Sequence, residues 1–165
     1  MKEFMAASIY SRQPQLKPSA MRTVADRRFD DAETLCETKQ NARANGAAYL
    51  VGFVVEILLK ARLVRKHPQI ARKRQHEMND LSSAEREIWF LIWKQHDLEG
   101  MLSKLEELEA ALKKQGEREG ENYLEDLKKI CATWTIQARY SSHTMQHREA
   151  EELIERVRVL KEKLK

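Results

Sequence analysis

The chain has 165 residues, a length that fits one domain, with 42% hydrophobic and 34% charged residues and a formal net charge of +4. That surplus of charge, with five glycines and three prolines, is the composition of amphipathic helices, and the most apolar run, Ala47 to Leu59, is interrupted by Glu56 and falls short of the ~20 residues of a membrane span. The two cysteines, Cys36 and Cys131, form no CxxC pair, which argues against a disulfide scaffold or a zinc site and for buried thiols in a reducing cytoplasm.

In chain order, residues 1–18 read as a leader with no export signal, because Pro14 and Pro18 break helices and no apolar period is sustained. Residues 19–165 read as one helical unit. A first helix is expected from Ser19 to Gln40, with Met21, Val24, Ala25, Ala32, Leu35 and Cys36 on one stripe. Residues 41–46 are expected to turn. A second helix is expected from Ala44 to Lys66; its broad apolar arc of Tyr49, Leu50, Phe53, Val54, Ile57, Leu58 and Ala61 predicts the most buried helix of the bundle. Pro68 ends it, and the polar, basic stretch from Arg72 to Leu81 reads as a loop. Ser82 and Glu85 have the spacing of a capping box before a short helix bearing Ile88, Trp89, Leu91, Ile92 and Trp93. Asp97 reads as the cap of a further helix that places Leu98, Met101, Leu102, Leu105, Leu108 and Leu112 at core spacing. Gly116 and Gly120 bracket a turn, and Asn122 caps a helix running from Tyr123 to Ala138. Ser141 and Ser142 interrupt the pattern. A last helix carries Leu153, Val157, Leu160 and Leu164 at heptad spacing, able to pack on the bundle or on a second copy in a homodimer. No stretch alternates with period two, so the fold class is all-α, an up-and-down antiparallel bundle of four to five core helices.

Asn45, Gly52, Glu56 and Lys60 fall along one edge of the second helix. A glycine in mid-helix costs ~1 kcal/mol relative to alanine, so Gly52 admits something close. A buried Glu56 needs a cationic partner: Lys60 is the local choice, and His96 and Arg139 are the distant ones. Asn45, Glu56, Lys60, His96 and Arg139 are therefore the residues of an expected polar pocket. A second feature is the stretch from Lys60 to His76, which holds Arg62, Arg65, Lys66, Arg72, Lys73 and Arg74 with no Asp or Glu. Such a run reads as a phosphate-facing patch for RNA or a nucleotide, or as a solvated helix end. His143 and His147 stand four residues apart, but no third ligand and no intervening Glu accompany them, so neither a metal nor another cofactor is expected.

The stretches Asp31–Leu35 and Asn45–Phe53, then Glu56 and Leu59-Lys60-Ala61, resemble the first two helices of HEPN domains. His96-Asp97-Leu98 with Leu102 is similar to the start of their third helix, and Trp134 to Arg139-Tyr140 resembles the end of a later core helix in one branch. The resemblance implies a bundle of four or five helices, often a homodimer, in prokaryotic toxin–antitoxin, defence or nucleotidyltransferase-associated systems. It implies either an accessory binding protein with a nucleotidyltransferase or toxin/antitoxin partner, or a metal-independent ribonuclease in which an Arg and a His meet across a dimer. The catalytic candidates would be Arg139 with His143 or His147. Three residues separate Arg139 from His143 and seven separate it from His147; neither spacing matches the family's nuclease motif, which favours the accessory role. A plain protein-interaction module is the remaining alternative.

Overall fold

The structure, a computed structural model, describes residues 16–134 and 145–165. Its elements are α1 (Pro18–Glu37), α2 (Asn41–Lys66), α3 (Pro68–Ala71), a 3-10 segment (Gln75–Asp80), α4 (Ser83–Trp93), α5 (Leu98–Ser103), α6 (Glu106–Glu119), α7 (Tyr123–Thr133) and α8 (His147–Leu164). The fold is all-α, and no strand occurs among the described residues.

The bundle is built around α2. Its side chains from Ala44 to Val64 are buried over much of the circumference, including Val51, Val54, Val55, Leu58, Leu59 and Leu63. Such a helix must be covered on several sides. α1 lies along it most extensively and α8 next. Paired contacts fix the directions. Asn41 at the start of α2 meets Gln146 and Arg62 near its end meets Leu164, so α8 runs parallel to α2. Asp26 meets Lys161, and Glu33 meets Arg158, which sets α1 antiparallel to α8. Tyr123 lies under Lys163 and Asp126 near Arg156, so α7 is antiparallel to α8. The alternating directions of α1, α2, α7 and α8 are those of an up-and-down bundle. α3 to α6 close its remaining side, and Ile70, Leu81 and Trp89 form a small satellite core there.

Several boundaries differ from the sequence reading. Pro18 occupies the first turn of α1 instead of stopping it, because the first helical amides have no intrahelical acceptor and a proline loses nothing there. The turn between α1 and α2 falls at residues 38–40, with Lys39 in the left-handed region at φ 54°; Asn41 to Gly46 are already helical. The stretch read as a loop after Arg72 contains the 3-10 segment. The helix expected from Leu98 through Leu112 is broken at Lys104 and Leu105, although all six of its core leucines and methionine are buried. The break is satisfied from outside: Lys66 Nζ donates to the Lys104 carbonyl at 3.1 Å. Gly116 is not in a turn but buried inside α6, which runs on to Gly120, whose φ of 73° ends it as glycine readily does. Asn122 precedes α7 without a side-chain cap; Glu125 and Asp126 in the first turn complement the helix dipole instead. α7 ends at Thr133, with Trp134 extended, short of the expected Ala138.

Two caps follow the sequence pattern. Ser82 Oγ accepts from the Glu85 amide at 3.3 Å while Glu85 Oε2 accepts from the Ser82 amide at 2.9 Å. Asp97 Oδ1 accepts from the Gly100 amide at 2.8 Å. The heptad stripe of α8 packs inward, with Val157, Leu160 and Leu164 buried beside Ala150 and Ile154, and only Leu153 partly exposed. That apolar face is used within the bundle, so it gives no separate reason for a dimer. Both cysteines are free and buried.

Candidate functional site

One stripe of α2 gathers the polar features of the bundle. Asn41, Asn45, Gly52, Glu56 and Lys60 recur at helical spacing, and between them they meet the start of α8, Trp134 and His96. Asn41 Oδ1 accepts from the His147 amide at 2.9 Å and its Nδ2 donates to Gln146 at 3.1 Å. Asn45 Oδ1 accepts from the Met145 amide at 2.7 Å. These bonds supply the acceptors for chain entering α8, whose first amides have none within the helix.

At Gly52 the indole of Trp134 lies directly on the backbone. A Cβ at that position would stand 1.9 Å from Trp134 Cδ1, and Trp134 Nε1 donates to the Tyr49 carbonyl at 3.2 Å. The close approach expected from the sequence is thus a neighbouring side chain, stacked further on the Tyr49 ring.

One turn on, Glu56 is 1% exposed. Lys60 Nζ lies 2.7 Å from its Oε1, and His96 Nδ1 lies 2.9 and 3.0 Å from its two oxygens. A carboxylate only accepts, so His96 Nδ1 carries the proton that it donates to the Glu56 oxygens. His96 precedes the Asp97 cap of α5, and that cap fixes the backbone from which the imidazole reaches α2. The side chain of His96 is 39% exposed and that of Lys60 13%, so the cluster is closed toward α2 and open toward solvent at the ring. An imidazole oriented by a carboxylate is a recurring arrangement for a base, and the same pairing is an ordinary way to satisfy a buried charge. Of the five residues expected to share a pocket, Glu56, Lys60 and His96 meet. Asn45 lies about 16 Å further along α2, at 1.5 Å per residue, and holds Met145 instead. Arg139 lies outside the described residues, as does His143.

His147, the remaining catalytic candidate, is committed to a helix junction. Its Nε2 donates to the Cys36 carbonyl at 2.7 Å, with the Cys36 sulfur at 3.6 Å, and Glu151 lies 3.4 Å from Nδ1. This links the end of α1 to the start of α8. Burial, then the nearby Glu151 and Glu37, push the Cys36 thiol up, so it is not poised as a nucleophile. Burial pushes Cys131 further, to about 12.

The basic run is divided among several tasks. Lys60 serves Glu56. Arg62 caps α8, donating from Nε to the Leu164 carbonyl at 2.8 Å and from Nη2 to the Lys163 carbonyl at 2.9 Å. Lys66 bonds Lys104 and Glu107, and Lys73 lies 3.6 and 3.9 Å from Glu77 and Asp80. Arg65, Arg72 and Arg74 are exposed, and their side chains make no hydrogen bond or ion pair among the described residues. The acids that balance this stretch lie just beyond it or on α6, which a reading of the run by itself missed. Trp89 Nε1 donates to the Lys73 carbonyl at 2.9 Å, while Trp93 Nε1 is buried with no partner among the described residues. The described residues hold no group of His, Cys, Asp and Glu arranged for a metal ion, and no helix among them is long and apolar enough to cross a membrane. No family model matches the chain, and comparison with curated proteins and with solved structures gave no match.

Proposed function

We propose that this chain is a HEPN-like accessory protein that binds RNA or a nucleotide without cleaving it, within a prokaryotic toxin–antitoxin, defence or nucleotidyltransferase-associated system. The observation that carries the reading is the set of exposed guanidinium groups of Arg65, Arg72 and Arg74, unpaired among the described residues, at and just beyond the end of α2. Guanidinium forks without a carboxylate partner suit phosphate oxygens. The non-cleaving half draws support from His147, whose ring is spent on the α1–α8 junction, and from the spacing of Arg139 to both candidate histidines.

Binding of this kind is mostly counterion release. Three phosphate contacts on a single strand give a log–log salt slope of about −2, or roughly a twentyfold loss of affinity between about 50 and 200 mM salt. Fluorescence anisotropy with a labelled single-stranded RNA measures that slope. Reversal of Arg72 and Arg74 together to Glu is expected to abolish binding while leaving the helical content unchanged. Binding that ignores salt, or that survives the reversal, would remove the reading. The alternative, a ribonuclease using Arg139 with His143 or His147 across a dimer, makes the opposite claim about RNA integrity and is tested by cleavage.

A further inference from the structure

At the junction of α2 and α6 there is a cavity of about 210 Å³ lined by Arg62, Arg65, Lys66, Leu105, Glu107 and Leu108. From this geometry we infer that the cavity is a discrete binding site for one phosphate group, the anchoring point of a nucleotide or of an RNA strand. The inference deepens the anion-binding reading above and rests on it.

The charge balance is the first argument. Three cations line the cavity against the one carboxylate of Glu107, which is engaged by Lys66 at 2.9 Å. The C-terminal ends of α2 and α8 both point here, and each offsets about half a positive charge. Among the lining side chains the cations outnumber the carboxylate three to one, before Arg22 is counted. Arg22 lies close enough to act on Arg62: burial lowers the Arg62 pKa first, and Arg65 and Arg22 lower it further. Cations gathered against their own repulsion, with so little negative charge among the described residues to offset them, are what an incoming anion relieves.

Pre-organisation is the second argument. Arg62 is held by two carbonyls at the end of α8, so its guanidinium plane is already fixed when a ligand arrives. Fixing a long side chain beforehand removes part of the ordering cost of binding. Arg65 adds a guanidinium with no other partner among the described residues. Leu105 and Leu108, 3% and 4% exposed, give a dry floor that strengthens these contacts.

Size sets the ligand class. Pockets that enclose a whole drug-sized ligand run to roughly 300–1,000 Å³. This cavity is smaller and suits a compact, doubly charged oxyanion, with the remainder of the ligand lying outside over α2. Planar guanidinium forks favour phosphate geometry.

The test is the thermal stability of the whole chain titrated with inorganic phosphate at constant ionic strength, with acetate as the control anion. Wild type is expected to be stabilised by phosphate and not by acetate. Arg65→Ala, at an exposed residue whose side chain makes no hydrogen bond or ion pair among the described residues, should weaken the response about tenfold, the loss of one good charged contact. Glu107→Gln should strengthen it by removing the lining carboxylate. An equal phosphate response in all three proteins, or none in any, overturns the inference. Adenosine monophosphate and a single-stranded RNA oligonucleotide then separate the two sources of phosphate, since the true ligand is the one whose affinity depends on Arg65. Loss of RNA binding on reversal of Arg72 and Arg74 with the phosphate response intact supports both claims. Retained RNA binding in that variant removes the wider reading alone.

Discussion

At the scale of single residues, α2 shows how one helix can be both the most apolar element and the main polar hub. Glu56 is tolerated inside the core because Lys60 and His96 together answer both of its oxygens. Removing one member of a buried charged cluster strands the rest, and such a change costs about 3–5 kcal/mol. Glu56→Ala is therefore expected to lower the unfolding free energy by that amount in urea titration; a loss below about 1 kcal/mol, typical of an exposed pair, would show that the cluster is not desolvated as described. Gly52 gives a test of sign. Helix propensity alone predicts that Gly52→Ala stabilises α2 by about 1 kcal/mol. The Trp134 indole occupies the space of the new methyl group, and forcing a group into a packed interior costs about 1–3 kcal/mol. Net destabilisation with a shift in tryptophan fluorescence is the expected outcome, and stabilisation would mean that Trp134 is not seated there. Much of this stripe was legible, since Gly52 and Glu56 are anomalies in an apolar helix and anomalies need neighbours. The identity of the neighbour at Gly52 was not legible, because Trp134 is distant in sequence and its apolar spacing suits several positions.

At the scale of elements, the caps at Ser82 and Asp97 were readable because capping is a local interaction, complete within four residues. The break between α5 and α6 was not. Leu98 through Leu112 keep a continuous helical period, and the Lys66 ammonium from another helix stabilises the break by taking up the Lys104 carbonyl. The α6–α7 corner is also held from a distance. Glu119 accepts from Tyr123 Oη at 2.6 Å, from Gln115 at 2.8 Å and from Lys163 at 3.0 Å, joining the ends of α6 and α8 to the start of α7. These donors, Tyr123 first, hold the Glu119 carboxyl down at about 2 instead of 4.5. Its bound form is the charged one, so this contribution to stability is full above about 4.5 and is lost as pH falls toward about 2. The same bond raises Tyr123 from 10.0 to about 12; there the neutral form is favoured, and the contribution is full below 10 and lost as pH rises toward about 12. Stability measured against pH should therefore decline on both limbs. Glu119→Gln should flatten the acid limb and Tyr123→Phe the alkaline one, and unchanged limbs in both variants would contradict the geometry.

At the scale of the whole molecule, the helical bundle was readable from composition and period, whereas the candidate site was only partly so. Charge runs are one-dimensional, but Arg62 belongs to the end of α8 and Lys66 to the α5–α6 break, so the sequence overstated the free patch. His147 likewise stood out as a base and is held as a link between α1 and α8. The thiols follow the same pattern of burial within the bundle. Cys131 at about 12, with Cys36 also raised, should both resist an aromatic disulfide reagent at neutral pH in the native state and react on unfolding; rapid labelling of the native protein would show a looser bundle. The proposed function has the chain hold RNA or a nucleotide and leave it intact. The most direct test incubates mixed RNA with the purified protein in chelator, alongside Arg139→Ala and a His143→Ala/His147→Ala double variant. Intact RNA in every sample, with salt-sensitive retention by the wild type, is the predicted result; cleavage by the wild type that disappears in those variants would contradict it.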